Sequence, residues 1–169
     1  MNHTTLAGAV MLMIASTPLA IAQSTGLNAF LTTAIKGDIA EINAGHLAET
    51  NGGSAAVRNF GKTLVTDHTK AKNEAESVAK TDKVIIPTQP SAEAQKDYGT
   101  LSKLKGNAFD REFATMMVAD HEKTIRLFEQ EAKAKNGPAS ALAEKQLPTL
   151  RKHLQIAQSI EGGQPTKTP

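Results

Sequence analysis

The chain has 169 residues, with 19 Lys and Arg against 17 Asp and Glu and a formal net charge of +2. Such balanced, scattered charge provides no basic stripe for nucleic acid. No cysteine is present, which excludes disulfides and a lipid-modified Cys, and a chain with no Trp and a single tyrosine, Tyr98, argues against sugar platforms and nucleotide-stacking faces.

The first segment is Leu6 to Ala15, an apolar run followed by Pro18 and the small-residue triplet Ala20-Ile21-Ala22. It reads as a secretory signal over residues 1–22, cleaved after Ala22. Its leading residues carry no Lys or Arg, and a buried N-terminal helix is the competing reading. On the signal reading the protein is periplasmic, with outer-membrane association left open. The mature chain is Gln23 to Pro169, long enough for one core. No later run approaches the ~20 apolar residues of a membrane span.

Next comes a helix from about Leu27 to Glu49, stopped at Asn51-Gly52-Gly53. A second runs from about Ser54 to Lys80. Its apolar face is Val57, Phe60 or Gly61, Leu64, His68, Ala71, Ala75 and Val78, at spacings of three and four. "TDKVIIPTQPS" is a connection. Ser91 is placed to cap a short helix reaching about Lys103, which Gly106-Asn107 breaks. Asn107 and Asp110 are spaced like a capping box that opens the third long helix, to about Lys135. Phe113, Met117, His121, Ile125, Phe128 and Ala132 share one face of it. Asn136-Gly137-Pro138 stops it and starts the fourth, with Leu142, Leu150, Leu154, Ala157 and Ile160 inward. Pro148 either kinks that helix or begins a new segment. The tail over 162–169 reads as disordered. With no stretch of convincing period two, residues 23–161 predict an all-α bundle of four long helices and one short extra helix in the crossover. The connection from Thr81 to Gly106 can span a helix of ~40 Å, so the second and third long helices are expected to be parallel.

"FGKTLVTDH" from Phe60 and "FATMMVADH" from Phe113 share Phe, Val, Asp and His at matching positions. Duplication of a helical hairpin accounts for the repeat, and so does convergence on one packing pattern. His68, His121 and His153 each lie ~21 Å along their helices, at one height in the bundle. His46 lies at another height. The first helix offers Asp38 and Glu41 at the level of the three histidines, and Glu41 shares a face with Ala34, Gly37, Ala44, Gly45 and Ala48.

One layer thus gathers Glu41, His68, His121 and His153, with Asp67 and Asp120 beside their histidines. Neutral imidazoles and a carboxylate suit a single iron, zinc, copper or manganese ion. The aspartates are placed to orient histidines of other helices rather than their own neighbours, which point ~100° away. Two alternatives remain: buried Asp-His hydrogen bonds that only specify packing, and solvated side chains. There is no Ser-His-Asp context and no Gly-rich phosphate loop. Without such motifs the question of an enzyme stays open, with a non-enzyme favoured, and envelope association or self-association is open as a partner mode.

"EINAGHLAE", "VRNFGKTLVTDHTKAKNE", "FDREFATMMVADHEKTIRLFEQEA" and "LPTLRKHLQIA" together resemble the bacterial domain-of-unknown-function 4142 family, over roughly Leu27 to Ile160. The resemblance implies an exported, ferritin-like four-helix bundle and brings no established enzymatic activity. A di-iron bundle carries Glu-x-x-His on two helices. The residues three before His68, His121 and His153 are Val65, Val118 and Leu150, which argues against such a centre.

Overall fold

The computed structural model describes residues 19–135 and 137–163. They form five helices: α1 (Leu19–Asn51), α2 (Ala55–Thr81), α3 (Ala92–Leu101), α4 (Gly106–Ala134) and α5 (Pro138–Gly162). The apolar run of the expected signal, and the tail beyond residue 163, lie outside the described residues. No helix among the described residues is long and apolar enough to cross a membrane.

Helix ends follow local chemistry. The Ser54 hydroxyl accepts from the Val57 N–H and the Ser91 hydroxyl from the Ala94 N–H, so each caps its helix as expected. Gly137, at φ 121°, makes the turn that no side chain tolerates, and Pro138 sits in the first turn of α5. Pro148 is inside a continuous α5, so the reading of a fresh segment there is set aside. The expected capping box at Asn107 and Asp110 is absent. Lys105 precedes α4 without a side-chain cap, and Asp110 turns elsewhere.

Asp110 instead accepts the Gly53 N–H at 2.7 Å and the Ser54 N–H at 2.8 Å. Gly52 and Gly106 form a parallel backbone bridge beside it. The start of α2 is therefore latched to the start of α4, and the two helices run parallel. Phe60 meets Phe113 at 6.0 Å, and His68 meets His121 at 5.9 Å. The Phe and the His of the repeat thus face their counterparts across the bundle. The hairpin is not itself repeated, because α1 precedes α2 whereas its counterpart α5 follows α4. The connection through α3 crosses the length of the bundle, with α3 resting on α1 and α4.

α1 packs on α2 and α4 on α5, and the pairs meet along α2–α5 and α1–α4. The core has two apolar clusters. One includes Phe30, Leu31, Ile35, Ile125, Phe128 and Leu142, the other Val57, Phe60, Leu64, Phe109, Phe113 and Met117. His68, His121 and His153 belong to neither, and lie between them.

The small residues of α1 serve two ends. A Cβ on Gly45 would stand 2.7 Å from the Gly61 carbonyl oxygen, and one on Gly61 2.6 Å from that of Gly45. Here the stripe does bring two helices close. Gly37 differs, since a Cβ there meets nothing within 4 Å. Gly61→Ala is expected to wedge α1 from α2 and destabilise the protein by roughly 1–3 kcal/mol, read as a lower urea midpoint.

Candidate metal centre

Each face periodicity that builds the helices also turns one imidazole inward. His68, His121 and His153 are 5%, 1% and 0% exposed. Their ring centroids lie 5.3, 5.4 and 5.9 Å apart. Each ring offers one nitrogen, and these three lie within 4.8 Å of one another.

The other nitrogen of each ring is tied outward. His68 Nδ1 is 2.8 Å from Asp38 Oδ1 on α1. His121 Nδ1 donates to the Met117 carbonyl at 2.9 Å, one turn back. His153 Nε2 donates to Asp67 Oδ2 on α2 at 2.9 Å. What remains is His68 Nε2, His121 Nε2 and His153 Nδ1, all buried and without a hydrogen-bond partner. A carbonyl or carboxylate acceptor fixes N–H on the tied nitrogen, so in neutral rings the free ones carry lone pairs. Glu41 Oε2 and Asp38 Oδ2 are likewise buried and unpartnered. The layer is thus built of acceptors that face no donor, and leaving such groups unmatched is costly.

The six residues singled out from sequence do not play equal parts. His68, His121 and His153 come together. Glu41 stands beside them, with Oε1 3.7 Å from His121 Nδ1, outside the group of mutually close ligand atoms. Asp67 orients a histidine across the bundle, on α5. Asp120 hydrogen-bonds no histidine; it stands exposed at the rim, near Glu41 and Asp97. Asp38, at the same height as Glu41 on α1, takes the role expected of Asp120. His46 is exposed and pairs only with Glu49, at 3.4 Å.

Electrostatics differ ring by ring. Burial lowers His153 to about 4, against the pull of Asp67. Burial also lowers His121. For His68 burial acts downward too, but the Asp38 hydrogen bond and the charges of Glu41, Asp38 and Asp67 outweigh it, and its pKa rises. Asp38 is raised, first by burial. Asp120 is raised to about 6, first by loss of solvent on its protein side and then by Glu41 and Asp97. Two rings are therefore neutral at neutral pH, and any proton in the layer is held on His68.

These shifts set a pH dependence for the metal-free protein. Unfolded His153 takes its proton near 6.5, but folded His153 only near 4. Over that window the unfolded chain binds more protons. The stability is complete above the upper value and is lost as pH falls, by on the order of 3 kcal/mol. His68 acts oppositely, stabilising below its unfolded value and losing that contribution as pH rises through its folded one. Asp120 adds the same sense as His68, between its unfolded 3.8 and about 6. Between about pH 7 and about pH 4.5 the urea midpoint of the parent is expected to move downward relative to that of His153→Gln, which lacks this contribution.

A cavity of about 610 Å³ reaches this layer, lined on its way by all five helices. Three imidazoles with one open side is an arrangement that binds a divalent transition metal and leaves a coordination position free. A family model described as a domain of unknown function, DUF4142, matches residues 15–160. No curated protein and no solved structure matches the chain.

Proposed function

The chain belongs to the DUF4142 family, and from the layer just described we propose that it is an exported, ferritin-like bundle that binds one transition-metal ion. His68, His121 and His153 are the ligands, and Asp38, the Met117 carbonyl and Asp67 hold their rings. The reading rests on one observation: three buried imidazole nitrogens stand together without a partner while their opposite nitrogens are tied outward. That is the pattern in which an outer acceptor orients a metal-binding histidine. Metal–nitrogen bonds of about 2.0–2.1 Å put ligand nitrogens about 3.4 Å apart in a tetrahedral site. The rings close by about an ångström to reach it, a shift within side-chain adjustment. Iron, zinc, copper and manganese all accept imidazole, and the ion here is mononuclear because the layer has no Glu-x-x-His.

Parallel α2 and α4, joined by a crossover that spans the bundle, support the ferritin-like topology. Export rests on the apolar run from Leu6 and the Ala20-Ile21-Ala22 triplet, and implies a periplasmic protein that begins at Gln23. Intact mass of protein recovered from the periplasm is expected to start at Gln23; a retained Met1 would refute export by this signal.

Elemental analysis of protein purified without a histidine tag tests the metal. One equivalent per chain, absent in His153→Gln, is expected. If the protein stays metal-free, and added zinc or cobalt leaves its unfolding midpoint unchanged, the Asp-His bonds serve packing alone.

A further inference from the structure

The cavity is far larger than an ion requires. A metal and a water account for some tens of cubic ångströms, against about 610 Å³ present. Volumes of this size hold small organic molecules. The walls divide by chemistry. At the inner end are the three histidines with Asp38 and Glu41. Along the side lie Ala34, Ala71, Leu127, Phe128 and Leu150. Gly37 borders the same space, and its missing side chain leaves room that nothing in the protein fills.

The inner end also specifies what a ligand must offer. Asp38 and Glu41 each keep one buried oxygen with no donor. Lys36, Lys70, Lys123 and Lys145 also line the cavity, and none of them hydrogen-bonds those oxygens. Lys145 pairs with Glu74 at 2.9 Å and Lys123 with Glu93 at 3.6 Å. The free oxygens at that end are acceptors, so a ligand that presents only lone pairs meets no donor there. An N–H or O–H group is attracted to the free carboxylate oxygens.

We propose that this cavity binds a small organic molecule with a protic nitrogen or oxygen head and an apolar body. The head gives its lone pair to the open position of the metal and its N–H or O–H to Glu41. The body lies along Leu127, Phe128 and Leu150. The metal contact rests on the function proposed above; the cavity and the orphan carboxylates are independent of it.

Phenylimidazole is a suitable probe, with one lone pair, one N–H and an apolar ring. Cobalt-loaded protein is titrated with it, with azide as the anionic comparison, and read by visible absorption and by cobalt content. A saturable spectral change is expected with phenylimidazole, and a weaker response with azide. Gly37→Leu extends a side chain from a position where a Cβ meets nothing within 4 Å. It is expected to keep its cobalt and bind phenylimidazole about tenfold or more weakly, as burial of the ring is lost. Glu41→Gln, which replaces a charged acceptor by a neutral one, is expected to weaken it about tenfold. Cobalt present with no spectral response, or Gly37→Leu binding as the parent does, overturns the inference and leaves the metal site standing. Protein that takes up no cobalt overturns both, and the cobalt content tells the two failures apart.

Discussion

Replacing His68 with alanine is expected to strip the metal from the protein and to cost about 3–5 kcal/mol of stability. Asp38 is 6% exposed, and among the described residues His68 is its only hydrogen-bond partner, at 2.8 Å. Without the imidazole its carboxylate is a buried charge with nothing opposite, or it must take a proton to remain folded. The vacated ring also opens a void between the two apolar clusters. Metal affinity should fall by more than the roughly 10–100-fold that follows loss of an outer hydrogen-bond partner, because a ligand itself is gone. Elemental analysis and urea unfolding measure the two effects. Since the variant is strained for two reasons, His153→Gln is the control that separates them. Its partner Asp67 has a side chain 35% exposed, so water replaces the lost bond. That variant is expected to lose the metal while giving up only about 1 kcal/mol. If it keeps a full equivalent of metal, His153 is not a ligand.

The height of the layer was legible because it needs only the helical rise. Each of His68, His121 and His153 is a similar count from its helix start, and the matching Phe and His positions of α2 and α4 do face each other. Which carboxylate meets which ring was not legible. Asp38 and Glu41 are three residues apart on α1, about 60° around the helix, and both fall on the inward side. Choosing between them takes the placement of α1 against α2 to within an ångström, and periodicity carries no such information. Asp120 failed for another reason. The repeat matches it with Asp67, but their surroundings differ. Asp67 looks toward α5, which carries His153. Asp120 looks toward Glu41 and the acidic face of α3, where no histidine lies. Gly37 looked like the rest of the small-residue stripe, and only the packed structure separates the close approach at Gly45 from the open space at Gly37.

The second large effect is expected at Asp110, which the local spacing suggested as a cap for its own helix. The carboxylate is 1% exposed and accepts two backbone N–H groups from the turn before α2. Those donors belong to a helix start, where the first N–H groups have no partner within the helix and a negative charge is favoured. The contact is close on all sides. Asn51 Nδ2 donates to the Leu104 carbonyl at 3.0 Å, and a Cβ on Gly53 would stand 2.8 Å from the Gly106 backbone. Water has little room to take the place of the carboxylate. Asp110→Ala therefore loses two charge-assisted bonds and leaves two backbone donors unmet, a cost of about 3–5 kcal/mol. For a domain of this size that lowers the melting temperature by roughly 10–20 °C. Asp110→Asn keeps one acceptor oxygen and should lose about half as much. The consequence extends along the bundle. The latch sets the starts of α2 and α4 level, and from there equal runs of helix bring His68 and His121 to the same height. Loosening it lets one helix slide against the other, so metal affinity should fall in Asp110→Ala although the residue is far from the ligands in sequence. Thermal melts with and without zinc measure both effects. An Asp110→Ala protein as stable as the parent would show that the turn finds its hydrogen bonds elsewhere and that the register of the histidine layer is set by core packing alone.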